Sequence, residues 1–518
     1  KMKTAYALFT QSKFSEALAI YSNVWREYER IGDFPDLAFA EYRLAHCYLF
    51  LPDLEKAEIT LKRLSAVCGA HHYRWLLAQC YYGLAHANVN KGKYSKALDY
   101  SAQALTAFQR ASDLNGILKS LTQLADVNQV LNRIDKSLGY LSRGLTLANE
   151  TPIEPMQRWA VLNETAFSMT SKELPRAALV YWKEALDIAL KMGRPLIISR
   201  SYGYVGLAYA AVKLYAEGVQ AAARAVETGE GMSSSPGGLE IIANASQQLG
   251  DIQRESGECA KAIQAYERSI DSYRKLKFDY YSYAAHKGKL LCFIAESDDR
   301  AAREELPKVL SLSEEYRSKI TLESQRVSFF ATHQSIYDLA IYYEYAHNDP
   351  VKALEYSEIS RARALLDEIR EGTKVSEQKD GRDLNLPAVT QSMSLSEIQQ
   401  SMPAESQILE YAVLDDRLIL WVVTKSAMRH QEVSIGAEQL TEKIRAYLAS
   451  VNSRSIDNSP NQSKAAFDLY RILIAPVEPF LDKSKYLCIV ADKILNYVPY
   501  AALVSPANGS YLVEDYEI

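Results

Sequence analysis

The sequence predicts an all-α helical-repeat solenoid over residues 1–370, a transition over 371–400, and the N-terminal part of an α/β domain over 401–518. Three observations carry this. Small residues recur at Ala5, Ala45, Ala85, Ala125, Ala166, Gly206 and Gly250, in steps of 40, 40, 40, 41, 40 and 44. Ala and Gly make up about one residue in six, so seven such positions in one register mark a repeat. A second small set, Ala17, Ala57, Ala97, Ser137, Ala178, Gly218 and Ala262, follows twelve residues after each member of the first. After residue 370 the apolar pattern changes to short runs of strand length.

Each unit reads as two antiparallel helices, A and B, because backbones approach closely only where side chains are small. Turn residues stand between the two small positions, as in Leu51-Pro52-Asp53, Lys91-Gly92-Lys93 and Ser256-Gly257-Glu258. Four residues after the B position come Tyr21, Leu61, Ser101, Leu141, Trp182, Ala222 and Tyr266, a mostly larger set one helical turn onward and so on the same face. Beyond Ala262 the pattern blurs. Residues 280–330 look helical without a clean match, and Val351-Lys352-Ala353-Leu354-Glu355-Tyr356 recovers the helix B phrase with Ile341 at the A position. The expectation is seven clear repeats and one or two degenerate ones.

Composition excludes several classes of function. The net charge of -5 supplies no field that would drive the chain onto nucleic acid or an anionic membrane. Apolar stretches such as Leu418 to Val423 fall far short of the ~20 residues of a spanning helix. Six scattered cysteines without a CxxC spacing imply a reducing compartment, so a cytoplasmic protein is expected. The pairs His71-His72 and His46-Cys47 are adjacent and point apart on a helix, so no metal or other cofactor is expected. Lys1 and Ile518 both read as cuts within a longer chain.

The repeat phrases Tyr202 to Tyr209 around Gly206, and Lys93-Tyr94-Ser95-Lys96-Ala97-Leu98, resemble the tetratricopeptide repeat family. The period departs from that family's usual ~34, and HEAT and armadillo repeats, which share a ~40-residue period, are the rival reading. About one extra turn in each helix absorbs the difference. The resemblance implies a concave groove lined by A helices that receives a protein or peptide. Counting from the small position of each A helix, the inward residues are Arg43, His46, Tyr82, His86, Gln123, Asp126, Asn163, Glu164, Arg200, Tyr204, Gln247, Asp251 and Arg254. The mixture of signs argues against a dedicated anion clamp. Each position has the alternative of a merely solvated helix face.

In the C-terminal region, Gln407 to Leu414, Arg417 to Thr424 and Arg429 to Ile435 read as strands, the first two joined by the tight turn at Asp415-Asp416. Helices are expected over Ala437 to Ala449 and Lys464 to Leu473, separated by a polar loop, Val451 to Gln462, and a buried-type strand over Lys485 to Asp492. Three phrases, Ser360 to Asp367, Leu487 to Leu503 and Tyr511 to Ile518, resemble the CHAT domain, a caspase-like, separase-related peptidase module. The last phrase resembles that family's following strand. The resemblance implies a bacterial cysteine endopeptidase whose repeat arm selects substrates or senses an activator. That family's His-Gly and Ser-Ala-Cys phrases do not occur here, so no catalytic residue is carried over, and the catalytic part is expected beyond residue 518. His430 and Cys488 have the right order for a dyad, but Cys488 reads as an inert core thiol. The alternative is a non-catalytic adaptor with an inert peptidase-like domain.

Overall fold

Fourteen helices carry the fourteen small positions in order. The A helices are α1 (Met2–Thr10), α3 (Phe34–Phe50), α5 (Arg74–Asn90), α7 (Leu114–Val130), α9 (Pro155–Ser171), α11 (Pro195–Ala211) and α13 (Pro236–Glu255). The B helices are α2 (Phe14–Ile31), α4 (Leu54–Ala70), α6 (Tyr94–Arg110), α8 (Ile134–Glu150), α10 (Pro175–Met192), α12 (Tyr215–Glu230) and α14 (Cys259–Lys275). All fourteen small residues are buried. Within the α11–α12 pair the contact is backbone on backbone: a Cβ on Gly206 would lie 3.0 Å from the Gly218 carbonyl oxygen. The computed structural model describes residues 1–10, 13–51, 53–319, 323–361, 394–452 and 460–518. They fall into two compact units, Lys1–Ala331 and Thr332–Ile518.

The turns repeat as faithfully as the helices. Between A and B helices one residue is left-handed: Gly92 (φ 66°), Asn132 (55°), Glu173 (59°), Lys213 (64°), Gly257 (83°) and Ser297 (56°). The next residue's N–H then donates to the carbonyl five positions back, as in Lys93 to Asn88 at 2.8 Å, Leu214 to Tyr209 at 2.9 Å and Asp298 to Phe293 at 2.9 Å. This is the Schellman closure, which satisfies carbonyls left open at a helix end. Ser297 follows Gly257 by 40 residues, and it reveals an eighth pair, α15 (Tyr283–Ala295) and α16 (Asp299–Lys319). Its B position keeps the rule with Ala302, whereas its A position is Leu290; both are 0 % exposed. The blurred region is therefore a repeat whose A helix carries a large residue at the contact.

A ninth helix pair belongs to the second unit. The C-terminal half of α17 (Glu323–Ala346) turns at left-handed Asn348 into helix 350–361 (α18), burying Ile341 and Ala353. Strands β1 (Ser406–Val413), β2 (Leu418–Val423), β3 (Met428–Val433) and β4 (Tyr486–Val490) form one sheet in the order β3-β2-β1-β4. Only β4 runs parallel to its neighbour β1. Leu418, Leu420 and Val422 pack on one face with α20 (Ala437–Asn452) and α21 (Pro460–Leu473), whereas Ile419, Trp421 and Val423 pack on the other with Ile341, Ala353, Leu354 and Ile398 of α19 (Leu395–Ser401). Burial on both faces explains why β2 is apolar at every position.

The expected linker before residue 394 and the loop at 453–459 lie outside the described residues. Tyr511 to Ile518 is not a strand. A single helical turn, α22 (Leu512–Asp515), drops Leu512 into the core, and only then does the Glu517 carbonyl accept the Leu487 N–H at 2.7 Å beside β4. Glu514 closes that turn by accepting the Tyr511 N–H at 2.7 Å, a local bond that competes with strand pairing.

Candidate functional site

The A helices bring polar residues of successive repeats against one another. His46, His86 and Asp126 each follow their helix's small residue by one position. His86 and Arg43 lie close enough to act on His46, Asp126 acts on both Tyr82 and Glu164, and Glu164 and Arg200 act on Tyr204. These residues thus share one row across five neighbouring helices. Burial holds His46 neutral, with its pKa lowered to about 3, and lowers that of His86 as well. The same cause raises Asp126, and burial together with the Asp126 charge lifts Glu164 to about 7. Asp126 on α7 thus acts on Glu164 on α9, and no cation among the described residues contributes to the shift of either.

Most members of the predicted set also make packing or hydrogen-bond contacts. Arg43 stacks over the rings of Tyr6 and Phe39 at 5.0 and 5.1 Å. His46 lies flat on Phe9 at 4.8 Å. Gln123 accepts from Ser101 at 3.1 Å, and Asn163 donates to the Trp159 carbonyl at 2.7 Å. Tyr204 meets Phe167 edge-on at 5.1 Å, and Arg200 is exposed. At the far end, Asp251 accepts from the Tyr266 hydroxyl at 2.8 Å, Arg254 donates to the same oxygen at 3.3 Å, and Gln247 bonds Asp251. These three serve a buried tyrosine. Sequence reasoning missed Lys119, which also acts on His46, and the aromatic neighbours Phe9 and Phe50.

In the second unit, His430 lies on β3 and Cys488 on β4, at opposite edges of the sheet. Three inter-strand steps of about 4.8 Å separate them, which ends the dyad reading. His430 instead pairs its Nδ1 with the Tyr345 hydroxyl at 3.0 Å. Cys488 is exposed on an edge strand rather than buried in the core. The end of the sheet is fastened by polar contacts: Asp492 accepts the Val413 N–H at 2.8 Å, Lys493 donates to the Val413 carbonyl and to Asp338 at 3.0 Å, and Arg361 pairs with buried Glu410.

Residues 463–518 match the family model of the CHAT domain. Among solved structures, the apo form of RapI is similar, with a TM-score of 0.50 at 14 % identity, covering 71 % of this chain and 97 % of its own. Two others are the STAND protein PH0952 of Pyrococcus horikoshii, with a tetratricopeptide repeat sensor (TM-score 0.45, 14 % identity, 69 % of this chain and 54 % of that one), and aspartyl phosphate phosphatase F of Bacillus subtilis (0.45, 13 %, 70 % and 92 %). No curated protein matches the chain. The chain is a helical-repeat solenoid with the fold of RapI, and its residues 463–518 match the CHAT domain. Within the matched part of the CHAT domain, Leu495, Val498 and Leu503 anchor the segment after β4 in the core, and Tyr500 stacks on Tyr411 at 6.0 Å. The apolar phrase that carried the resemblance thus works as packing, and it positions Asp492 and Lys493 at the end of the sheet.

Proposed function

We propose that the repeat arm recognises a protein or peptide along the row of A-helix residues and serves the CHAT domain behind it. The observation that carries this reading is the Asp126–Glu164 pair, two carboxylates in mid-row with no cation among the described residues, flanked by Tyr82 and Tyr204. Burial that raises a carboxyl pKa is a standing cost. A ligand's Lys or Arg side chain would relieve it, and tyrosine rings suit the aliphatic stem of such a side chain. His46 and His86, held neutral, line the N-terminal part of the row with Phe9 and Phe50 and favour an apolar side chain there.

The test is selection of random peptides on the immobilised 518-residue chain. Peptides carrying a basic residue are expected to enrich, and to bind Asp126→Asn/Glu164→Gln and Tyr204→Ala about tenfold or more weakly. Equal affinity for all forms refutes the groove. The finer reading is a cytoplasmic cysteine endopeptidase fed by this arm, and it rests on the CHAT resemblance. All six cysteines are free, as a reducing compartment would keep them. His430 and Cys488 do not form its dyad, so a catalytic pair would come from sequence other than these residues. The same separation favours, as a second reading, an adaptor that binds without cleaving.

A further inference from the structure

On the side of the arm where the B helices lie, α4 and α6 flank a cavity of about 800 Å³ floored by the first turns of α5. That volume is in the range of ligand sites, ~300–1,000 Å³. Its basic lining residues are His72, Arg74 and Arg110, with Leu77 and Tyr81 below them. His72 stands in the turn before α5, Arg74 is the first residue of α5 and Arg110 the last of α6. The helices are antiparallel, so all three belong to the same end of the cavity. No carboxylate lines it, and neither arginine forms an ion pair with a described residue.

The repeat supplies its own control. A cavity between α10 and α12, about 540 Å³, shares with this one only the position of Tyr81, held there by Tyr202, and it is lined by Lys183 and Arg224 together with Asp187 and Glu217. The cavity beside α9 and α10 likewise balances Arg158 and Lys191 with Glu184 and Asp187. The helix ends differ as well. The neighbouring A helices α3 and α7 are capped by Asp33 and Asp113, which accept from backbone N–H groups at 3.3 and 3.0 Å. The residue before α5, Tyr73, offers no side-chain cap, and the first turn of α5 holds no acid. The positive end of α5 therefore adds to the two guanidinium groups.

From this we infer a second recognition site, for an acidic peptide segment whose carboxylates meet Arg74, Arg110 and the start of α5 while an adjacent aliphatic or aromatic side chain lies on Leu77 and Tyr81. The excess of positive charge calls for an anion, and the apolar floor calls for a neighbouring hydrocarbon. The carboxylate can be an Asp or Glu side chain or the free end of a chain. The site is separate from the A-helix row, and its failure leaves that reading intact.

Fluorescence anisotropy on the 518-residue chain tests it, with labelled short peptides of alternating Glu and Leu carrying either a free or an amidated C-terminus, and a Lys and Leu peptide as control. Both Glu peptides are expected to bind, with affinity falling as salt rises, and Arg74→Gln/Arg110→Gln is expected to weaken them about tenfold or more. Arg224→Gln, in the balanced cavity, leaves binding unchanged. Binding of the free form alone assigns the site to a chain terminus, and equal binding of both assigns it to side chains. The proposal is overturned if neither Glu peptide binds, if the Lys peptide binds as well, or if the double variant binds like the parent. Circular dichroism of the double variant checks that the arm stays folded, and Arg110→Lys, which keeps the charge, is expected to retain binding.

Discussion

Gly206 and Gly218 press their backbones together across the α11–α12 pair, and a Cβ on either would stand 3.0 Å from the other's carbonyl oxygen. Such a contact yields by a few tenths of an ångström, and an Ala in a helix regains about 1 kcal/mol over Gly. Gly206→Ala is therefore expected to change stability by less than about 1 kcal/mol. Gly288 is different. Its Cβ would lie 2.2 Å from the Tyr266 ring, and a Cβ on Gly250 would lie 2.7 Å from the same ring. Gly288→Ala displaces that ring and its bond to Asp251, and is expected to cost about 1–3 kcal/mol in urea unfolding followed by circular dichroism. Equal effects of the two substitutions would contradict the slot.

The spacing of Ala and Gly was enough to place seven helix pairs, because close backbone contact leaves a residue type in the sequence. The eighth was hidden because Leu290 replaces the small A residue, and its surviving marks, Ala302 and left-handed Ser297, are common residues in unremarkable places. A left-handed residue need not be Gly: Asn132, Glu173, Lys213 and Ser297 share the role of Gly92 and Gly257, so turn geometry was only half visible. In the second unit the apolar run of β2 gave away a sheet covered on both faces. The exposure of Cys488 could not be read, since the edge position of β4 depends on which strands pair. For the candidate site the register named one row of A-helix residues, but it did not separate Asp251 and Arg254, engaged with Tyr266, from Asp126 and Glu164, which have no counter-ion among the described residues.

The arm's stability is expected to respond to pH through two groups of opposite sign. Glu164, with a pKa of about 7, binds its proton more tightly in the folded arm than in the unfolded chain. Its contribution is complete below about pH 4.3 and is lost as pH rises through 7, on the order of 4 kcal/mol at most. His46 works the other way. Its folded pKa of about 3 lies below the unfolded value, so its contribution is present above about pH 6.5 and is lost as pH falls toward 3. Glu164→Gln should raise the melting temperature at pH 8 and leave it unchanged at pH 4. His46→Phe, which keeps the stack on Phe9, should help at pH 5 more than at pH 8. Parallel melting curves of parent and variants across this range would rule both assignments out.

The ion pair of Arg361 with Glu410 joins α18 to β1 in the second unit, and Arg361 also donates to the Tyr411 carbonyl at 3.0 Å and to Ser357 at 2.7 Å. Glu410 is 3 % exposed, so deleting the arginine strands a buried carboxylate. Arg361→Met is expected to cost about 3–5 kcal/mol, and Arg361→Met/Glu410→Leu to recover most of that loss. Trp421, whose Nε1 donates to the Pro350 carbonyl at 3.0 Å, reports the unfolding of this unit by fluorescence. A double variant as unstable as the single one would show that the pair does more than neutralise Glu410.

Cysteine reactivity separates an edge-strand thiol from core thiols. Five of the six cysteines are buried and only Cys488 is exposed. Burial pushes the Cys47 thiol up to about 12, so almost no thiolate forms there near neutral pH. A thiol-disulfide reagent is therefore expected to label one cysteine quickly in the folded chain and all six after denaturation. Cys488→Ser should abolish the fast phase and, because the side chain packs little, shift stability by less than about 0.5 kcal/mol. A second fast thiol would mean that a helix pair in the arm opens. A large loss of stability in Cys488→Ser would return that residue to the core and remove β4 from the sheet edge.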